Sequence, residues 1–190
     1  VFHEHNVEAI RKAGVKRIIT SCAGCYETFK VDYPRFLGEN LGFEILSTVE
    51  FLNTLIKEGK LKLTKEVPIK VTYHDPCHLG RNSEPYIPWK GEYKKFGIRE
   101  PPKQLRRGTY GVYDPPREVL KTIPGIELVE MERIREYAFC CGGGGGVKAA
   151  FPDFALFAAG ERIEEAKTTG AEAIVSCCPF CATNFKDVIR

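Results

Sequence analysis

Gly170-Ala171-Glu172-Ala173-Ile174-Val175-Ser176-Cys177-Cys178-Pro179-Phe180-Cys181 carries three signals in twelve residues. A glycine stops a preceding helix, a short apolar run forms a strand, and a Cys-Pro-Phe-Cys step follows it at once. The same order occurs at an offset of 156 residues, in Gly14-Val15-Lys16-Arg17-Ile18-Ile19-Thr20 and then Ser21-Cys22-Ala23-Gly24-Cys25. Cys22 falls on Cys178, Cys25 on Cys181 and Phe29 on Phe185, so strand, cysteines and aromatic keep one register. An αβ unit used twice predicts an α/β fold of two small repeated units with parallel strands.

Other strands have the same habit. Ile69–Tyr73 runs into His74-Asp75-Pro76-Cys77-His78, and Ile126–Met131 leads towards Cys140-Cys141. Phe43–Ser47 is a further strand. Helices are predicted over Asn6–Ala13, Tyr26–Phe29, Thr48–Glu58 with Thr48 as N-cap, Arg117–Thr122 after Asp114-Pro115-Pro116, and Phe154–Thr169. Every cysteine group is thereby expected in a loop or just past the C-terminal end of a strand, where open α/β sheets place ligands. Residues 1–68 read as the latter part of a first unit whose own Cys-Cys-Gly lies outside the chain, and 69–190 as a complete second unit. The chain also opens on Val1 rather than Met, which fits a fragment of a longer protein.

Cys140-Cys141 is followed by Gly142-Gly143-Gly144-Gly145-Gly146. Such a run buries little apolar area, and its glycines lose backbone entropy when fixed. It makes sense around an inorganic group: adjacent thiolates hold neighbouring metal ions, and glycines let N–H groups close on a negative object. With Cys77, Cys178 and Cys181 the site has five sulfurs, one more than a tetrahedral zinc needs, which favours iron–sulfur. Zinc in a scaffold module is the main alternative. Disulfides suit secreted chains, and nothing marks secretion. No P-loop lysine or proper G-x-G-x-x-G follows the glycines, so a nucleotide loop is disfavoured.

Composition bounds the rest. The 190 residues are 43% hydrophobic and 28% charged, with a net charge of +3, too small to point to nucleic acid. No apolar run approaches the ~18 residues that span a bilayer. A cytoplasmic location is the default expectation. The segment 82–109 has no counterpart in the repeat. It sets Tyr86, Trp89 and several prolines among Lys90, Lys94, Lys95, Arg99, Lys103, Arg106 and Arg107. It reads either as a solvated loop packed by its own aromatics or as a docking surface anchored by Tyr86 and Trp89.

The spacing Cys77…Cys140-Cys141-Gly142…Cys178-x-x-Cys181, with His74-Asp75-Pro76-Cys77-His78, resembles the CCG-type cysteine-rich domains. These occur in heterodisulfide reductase B and D subunits and in iron–sulfur subunits of lactate, glycolate and glycerol-3-phosphate oxidising systems. Thirty-six residues separate Cys141 from Cys178, as in the family, while the 62 between Cys77 and Cys140 exceed its usual spacing because of the 82–109 insert. That insert looks most like the catalytic subunits of Dsr-type membrane redox complexes.

The resemblance implies a noncubane 4Fe–4S cluster on Cys77, Cys140, Cys141, Cys178 and Cys181, with Gly142, Gly143 and Gly144 donating N–H groups to it. It implies reductive cleavage of a heterodisulfide or of a disulfide or trisulfide on a small sulfur-carrier protein. His74 and His78 are candidate proton donors to the leaving thiolate, or else structural histidines of the loop. Cys22 and Cys25 are candidates for a second metal site, and Cys177, aligned with Ser21, is not expected to ligate. The implied partners are further redox subunits, including a membrane cytochrome b-type subunit on whose cytoplasmic face the protein would sit. A relay role for a flavin 2-hydroxy-acid or glycerol-3-phosphate dehydrogenase is the rival within the same family.

Overall fold

The computed structural model describes residues 2–38 and 40–189. The first half holds α1 (Phe2–Lys12), β1 (Arg17–Thr20), α2 (Ala23–Glu27), α3 (Tyr33–Leu37), β2 (Glu44–Ser47) and α4 (Thr48–Lys57). A π-helical turn over Thr28–Asp32 joins α2 to α3, so the chain is helical from 23 to 37. The second half holds β3 (Ile69–His74), a hairpin of β4 (Glu92–Tyr93) and β5 (Arg99–Glu100), α5 (Asp114–Thr122), β6 (Ile126–Val129), α6 (Val147–Ala150), α7 (Pro152–Thr168), β7 (Ala173–Ser176) and α8 (Pro179–Ile189).

The three pairings of β1 with β2 and of β3 with β6 and β7 are parallel, as expected of strands separated by helices. β1 pairs with β2, Arg17 opposite Glu44 and Thr20 opposite Ser47. In the second half β3 lies between β6 and β7, with Thr72 opposite both Val129 and Ile174. Since β3 is central and covered, its last four residues are all buried. Its C-terminal end therefore delivers His74 and Asp75 into the interior.

One apolar cluster crosses the two halves. Ala23, Tyr26, Ile45 and Val49 of the first pack with Leu79, Ala159, Ile163 and Phe185 of the second, and Cys141, Cys178 and Cys181 belong to the same cluster. Asn53 on α4 also donates to Glu118 on α5 at 2.5 Å. The cysteines thus sit on the shared core.

Several expectations shift. The N-cap of α4 is Ser47, not Thr48: Ser47 accepts from the Glu50 N–H while the Glu50 carboxylate takes the Ser47 N–H, a reciprocal cap. Cys25 and Cys181 are not loop residues. Each lies in the first turn of a helix, α2 and α8, because the chain turns helical directly after the first cysteine of each step. The 82–109 insert is not structureless but carries the β4–β5 hairpin, with Tyr93 opposite Arg99.

Candidate functional site

Five of the eight cysteines come together. Cys77 meets Cys140, Cys140 meets Cys141, Cys141 meets Cys181, and Cys181 meets Cys178, each through thiol–thiol hydrogen bonds. Four backbone features converge to make this run: the loop after β3, the Cys-Cys-Gly turn, the loop after β7 and the first turn of α8. The sulfurs do not share one protonation state. Cys140 is held down to about 2 by hydrogen bonds donated from Cys141 and Cys77, and Cys178 falls to about 6 because Cys181 donates to it. Cys77 and Cys181 are pushed up, the former first by its bond to Cys140 and the latter by its bond to Cys141. A line of touching thiols cannot ionise together without a cation to absorb the charge. It is a donor set suited to a polynuclear thiophilic metal centre.

The Cys-Cys-Gly turn is built around one glycine. Gly142 has φ +77, and a Cβ there would lie 2.7 Å from the Ala155 carbonyl oxygen and 2.8 Å from the Ala158 Cβ. Its N–H donates to Cys140 Sγ at 3.3 Å. From α8, Asn184 donates to the carbonyl oxygens of Cys141 at 2.6 Å and Ala155 at 2.9 Å, tying the turn to α7. Below Cys77, Arg117 grips Asp75 with both terminal nitrogens.

A cavity of about 530 Å³ opens beside the thiols. Cys77, Cys141, Cys178, Cys181 and the backbone of residues 143–146 form one wall, while Gly24, Glu27 and Asp32 from the first half form the other. His78 stands between them. Its Nδ1 meets the Glu27 carboxylate, and its Nε2 lies 3.4 Å from where a Gly144 Cβ would be. Glu27 raises the pKa of His78 above the usual imidazole range against the opposing effect of burial.

His74 differs. It is fully buried, does not line the cavity, and has its pKa pressed down to about 3 by burial and then by the neighbouring Arg162 charge. One of its ring nitrogens lies within 4.8 Å of the sulfurs of Cys141 and Cys181.

The remaining cysteines stand apart. Cys177 faces the Tyr73 hydroxyl and, with Cys22, lines a second cavity of about 420 Å³. Cys22 and Cys25 contact each other, and among the described residues no third Cys, His or carboxylate joins them within ligand range. Glu27, Arg162, Asn184 and Arg117 are site residues that motif reading passes over. Arg162 alone left a signal: it is a charge on the buried face of α7, in line with Ala155, Ala159, Ile163 and Ala166.

In the insert, Trp89 is turned inward. Its N–H donates to the Pro101 carbonyl at 2.8 Å, and its ring meets Tyr93 edge-on at 5.2 Å. Arg35 of the first half covers the Tyr86 ring at 4.9 Å. Exposed apolar side chains of the insert include Ile87, Tyr93, Ile98, Leu105 and above all Phe96, 88% exposed.

Residues 1–30 and 103–186 match the cysteine-rich domain denoted CCG. The chain is 46% identical over 183 residues to the D subunit of the dihydromethanophenazine:CoB–CoM heterodisulfide reductase of Methanosarcina mazei, covering 96% of this chain and 38% of that protein. It is 37% identical over 189 residues to the B subunit of a CoM/CoB fumarate reductase of Methanothermobacter marburgensis, covering 98% of this chain and 31% of that one. A probable iron–sulfur-binding oxidoreductase of Bacillus subtilis shares 36% over 184 residues, 97% of this chain and 22% of its own. The chain therefore spans well under half the length of these relatives.

Proposed function

Because the chain belongs to the CCG cysteine-rich domain family, we propose that it forms the cluster-binding part of an iron–sulfur oxidoreductase subunit that delivers electrons to a disulfide. The observation that carries this reading is the run of five neighbouring thiols, four of which line a cavity that also holds His78 paired with Glu27. Relatives named as a heterodisulfide reductase subunit and an iron–sulfur-binding oxidoreductase support it.

Cys77, Cys140, Cys141, Cys178 and Cys181 would hold a 4Fe–4S cluster of the noncubane kind, which supplies single electrons to a bond whose cleavage takes two. The rest of the chemistry belongs to the chain. The S–S bond breaks as two electrons enter it, and each sulfur leaves as a thiol once it takes a proton. His78 is placed to give one of them, because Glu27 holds Nδ1–H and so directs Nε2 at the cavity. The cavity's open side admits the second from water. Pro76, Ala149 and Phe180 line the same space and give the carbon chains of the substrate an apolar surface. His74, out of reach of the cavity, takes no part in this proton transfer.

Cys22 and Cys25 would serve a second metal site only with ligands from elsewhere in the protein. The partners proposed are other redox subunits, a membrane cytochrome b-type subunit among them, and a small cysteine-bearing sulfur carrier as substrate. No described helix is long and apolar enough to cross a membrane, so in this part of the protein membrane contact would be peripheral, on the cytoplasmic face.

The test is anaerobic purification of the full-length protein, with iron and acid-labile sulfide analysis and paramagnetic resonance with and without candidate disulfides. A disulfide-dependent signal with matched iron and sulfide is the expected result. A colourless protein with one zinc per chain would overturn the reading.

A further inference from the structure

Three polar atoms beside the thiols are buried without a partner: His74 Nε2, Arg162 Nη2 and Asn184 Oδ1. All three side chains are fully buried. Interiors rarely tolerate such orphans, so each asks for an explanation. Asn184 already spends both amide hydrogens on the Cys141 and Ala155 carbonyls. The His74–Arg162 pair is the informative one.

Arg162 Nε–H donates to His74 Nδ1 at 3.2 Å. A guanidinium has donors and no acceptor, so the imidazole nitrogen opposite it must offer its lone pair. The ring hydrogen then has one place to be, on Nε2. That N–H is buried and has no hydrogen-bond partner, sulfur included. The ring is locked in place by the Phe185 edge, 4.9 Å away at 89°, one turn along α8 from Cys181. A ring nitrogen of His74 is within 4.8 Å of both Cys141 and Cys181 sulfurs, and Nδ1 is already taken. Arg162 is itself fixed by Glu165 at 2.6 Å, which also accepts the Arg133 N–H at 2.7 Å.

We propose that Arg162 fixes the tautomer of His74 so that its unpaired Nε2–H is presented to the Cys141 and Cys181 side of the site and donates to a sulfur there once the cluster is bound, making His74 a positioning and potential-setting residue. This rests on the cluster reading above. Hydrogen bonds to cluster sulfurs favour the state with more negative charge, and so raise the reduction potential. His74 is then neither ligand nor proton donor. Arg162 acts through it, in the way carboxylates and carbonyls orient metal-binding histidines, but with the polarity reversed: a donor on the outer nitrogen makes the inner nitrogen a donor too.

The experiment uses the full-length, anaerobically purified protein. Iron and labile sulfide are measured first in the wild type, since their absence there would sink the cluster reading and not this inference alone. Redox titration followed by paramagnetic resonance then compares wild type, His74→Phe, His74→Gln and Arg162→Met. Expected are unchanged iron, a lower midpoint potential in His74→Phe, recovery towards wild type in His74→Gln, whose amide can both accept and donate, and a lowered potential in Arg162→Met. Wild-type protein labelled with nitrogen-15 histidine supplies a readout that needs no variant to fold. Electron–nuclear double resonance should show an exchangeable proton near the cluster with only weak histidine nitrogen coupling, and His74→Gln should alter that proton. A strong, directly bonded nitrogen coupling would make His74 a ligand and overturn the proposal. So would a potential and proton pattern unmoved by either His74 substitution.

Discussion

Arg117 closes a two-pronged ion pair on Asp75, Nη1 to Oδ1 at 2.8 Å and Nη2 to Oδ2 at 2.9 Å, two residues before Cys77. The same guanidinium reaches Glu130 through Nε at 2.6 Å, and Asp75 takes the Arg135 N–H at 2.8 Å. Both members of the pair are almost wholly buried. The loop that offers Cys77 is therefore held by charge as well as by the apolar packing of Pro76 and Leu79. Removing one member of a buried pair leaves the other uncompensated, at a cost of about 3–5 kcal/mol. Arg117→Met should lower anaerobic urea stability by that order and loosen Cys77. The Arg117→Met/Asp75→Asn double variant should recover part of the loss, because the carboxylate left without Arg117 is then the partly exposed Glu130 and not the buried Asp75. Equal losses in single and double variants would mean the pair contributes little.

The thiol run sorts the cysteines for substitution. Cys140→Ser and Cys141→Ser each break the run in its middle, so iron content and the paramagnetic signal should be lost. Cys177→Ser should leave iron unchanged, since that thiol faces Tyr73 and lies outside the run. Iron loss in Cys177→Ser as deep as in Cys178→Ser would show the assignment to be wrong.

Three glycines of the run, Gly142, Gly145 and Gly146, have left-handed backbones, and the first two have opposite surroundings. A Cβ at Gly142 meets α7 backbone at 2.7 Å, whereas one at Gly145, φ +61, meets nothing within 4 Å. Gly145→Ala should cost only the left-handed strain of about 1–2 kcal/mol and keep iron. Gly142→Ala should displace the Cys-Cys-Gly turn and lose iron. Iron assay on both variants decides it.

His78 and Glu27 sit in different halves, and the proposed proton donation rests on their contact. His78→Gln should slow disulfide turnover by about 10²-fold, the low end of general acid contributions, with iron retained. Glu27→Gln should slow it less, because the donor remains and only its orientation and charge support are lost. His74→Gln should leave this proton-transfer step alone. Solvent isotope effects on single-turnover cleavage distinguish the two histidines.

Much of this was legible in the amino acids. The strands that lead to cysteines were legible because short runs with β-branched residues stand out at Ile69–Tyr73 and Ala171–Ser176, although only the first forms a central, buried strand. The five-thiol set followed from spacing and resemblance. Partners separated by long stretches of sequence were not legible. Glu27 meets His78 across 51 residues with no local pattern, and Arg162, although its place on the apolar face of α7 stands out, meets His74 across 88. Helix α8 was hidden because a Cys-Pro-Phe-Cys step looks like a loop, although proline in a helix's first turn costs nothing. Thr48 resembled a cap as well as Ser47 does; only the reciprocal bond to Glu50 separates them.

In the insert, packing leaves Phe96 and not Trp89 as the aromatic open to a partner. Trp89 is the natural anchor by type, yet its indole N–H is spent on Pro101 and its ring on Tyr93. A Cβ on Gly91 would collide with the indole, so the ring is packed against the hairpin's own backbone. Trp89→Ala should therefore loosen the hairpin as a whole. Phe96 is the opposite case: 88% exposed at the hairpin tip, with Ile98 62% exposed beside it. Basic neighbours surround them, though Lys94 is partly neutralised by Glu92 and Glu100. An exposed aromatic among cations is what an acidic protein partner would engage, and steering by those cations weakens with salt. Phe96→Ser should weaken binding of a sulfur-carrier protein by about tenfold, the equivalent of ~1.4 kcal/mol, without changing thermal stability or iron content. Cleavage of a free small disulfide should be unaffected, since the cavity lies among the cysteines and not in the hairpin. Equal slowing of both substrates by Phe96→Ser, or of neither, would remove the hairpin from the docking role.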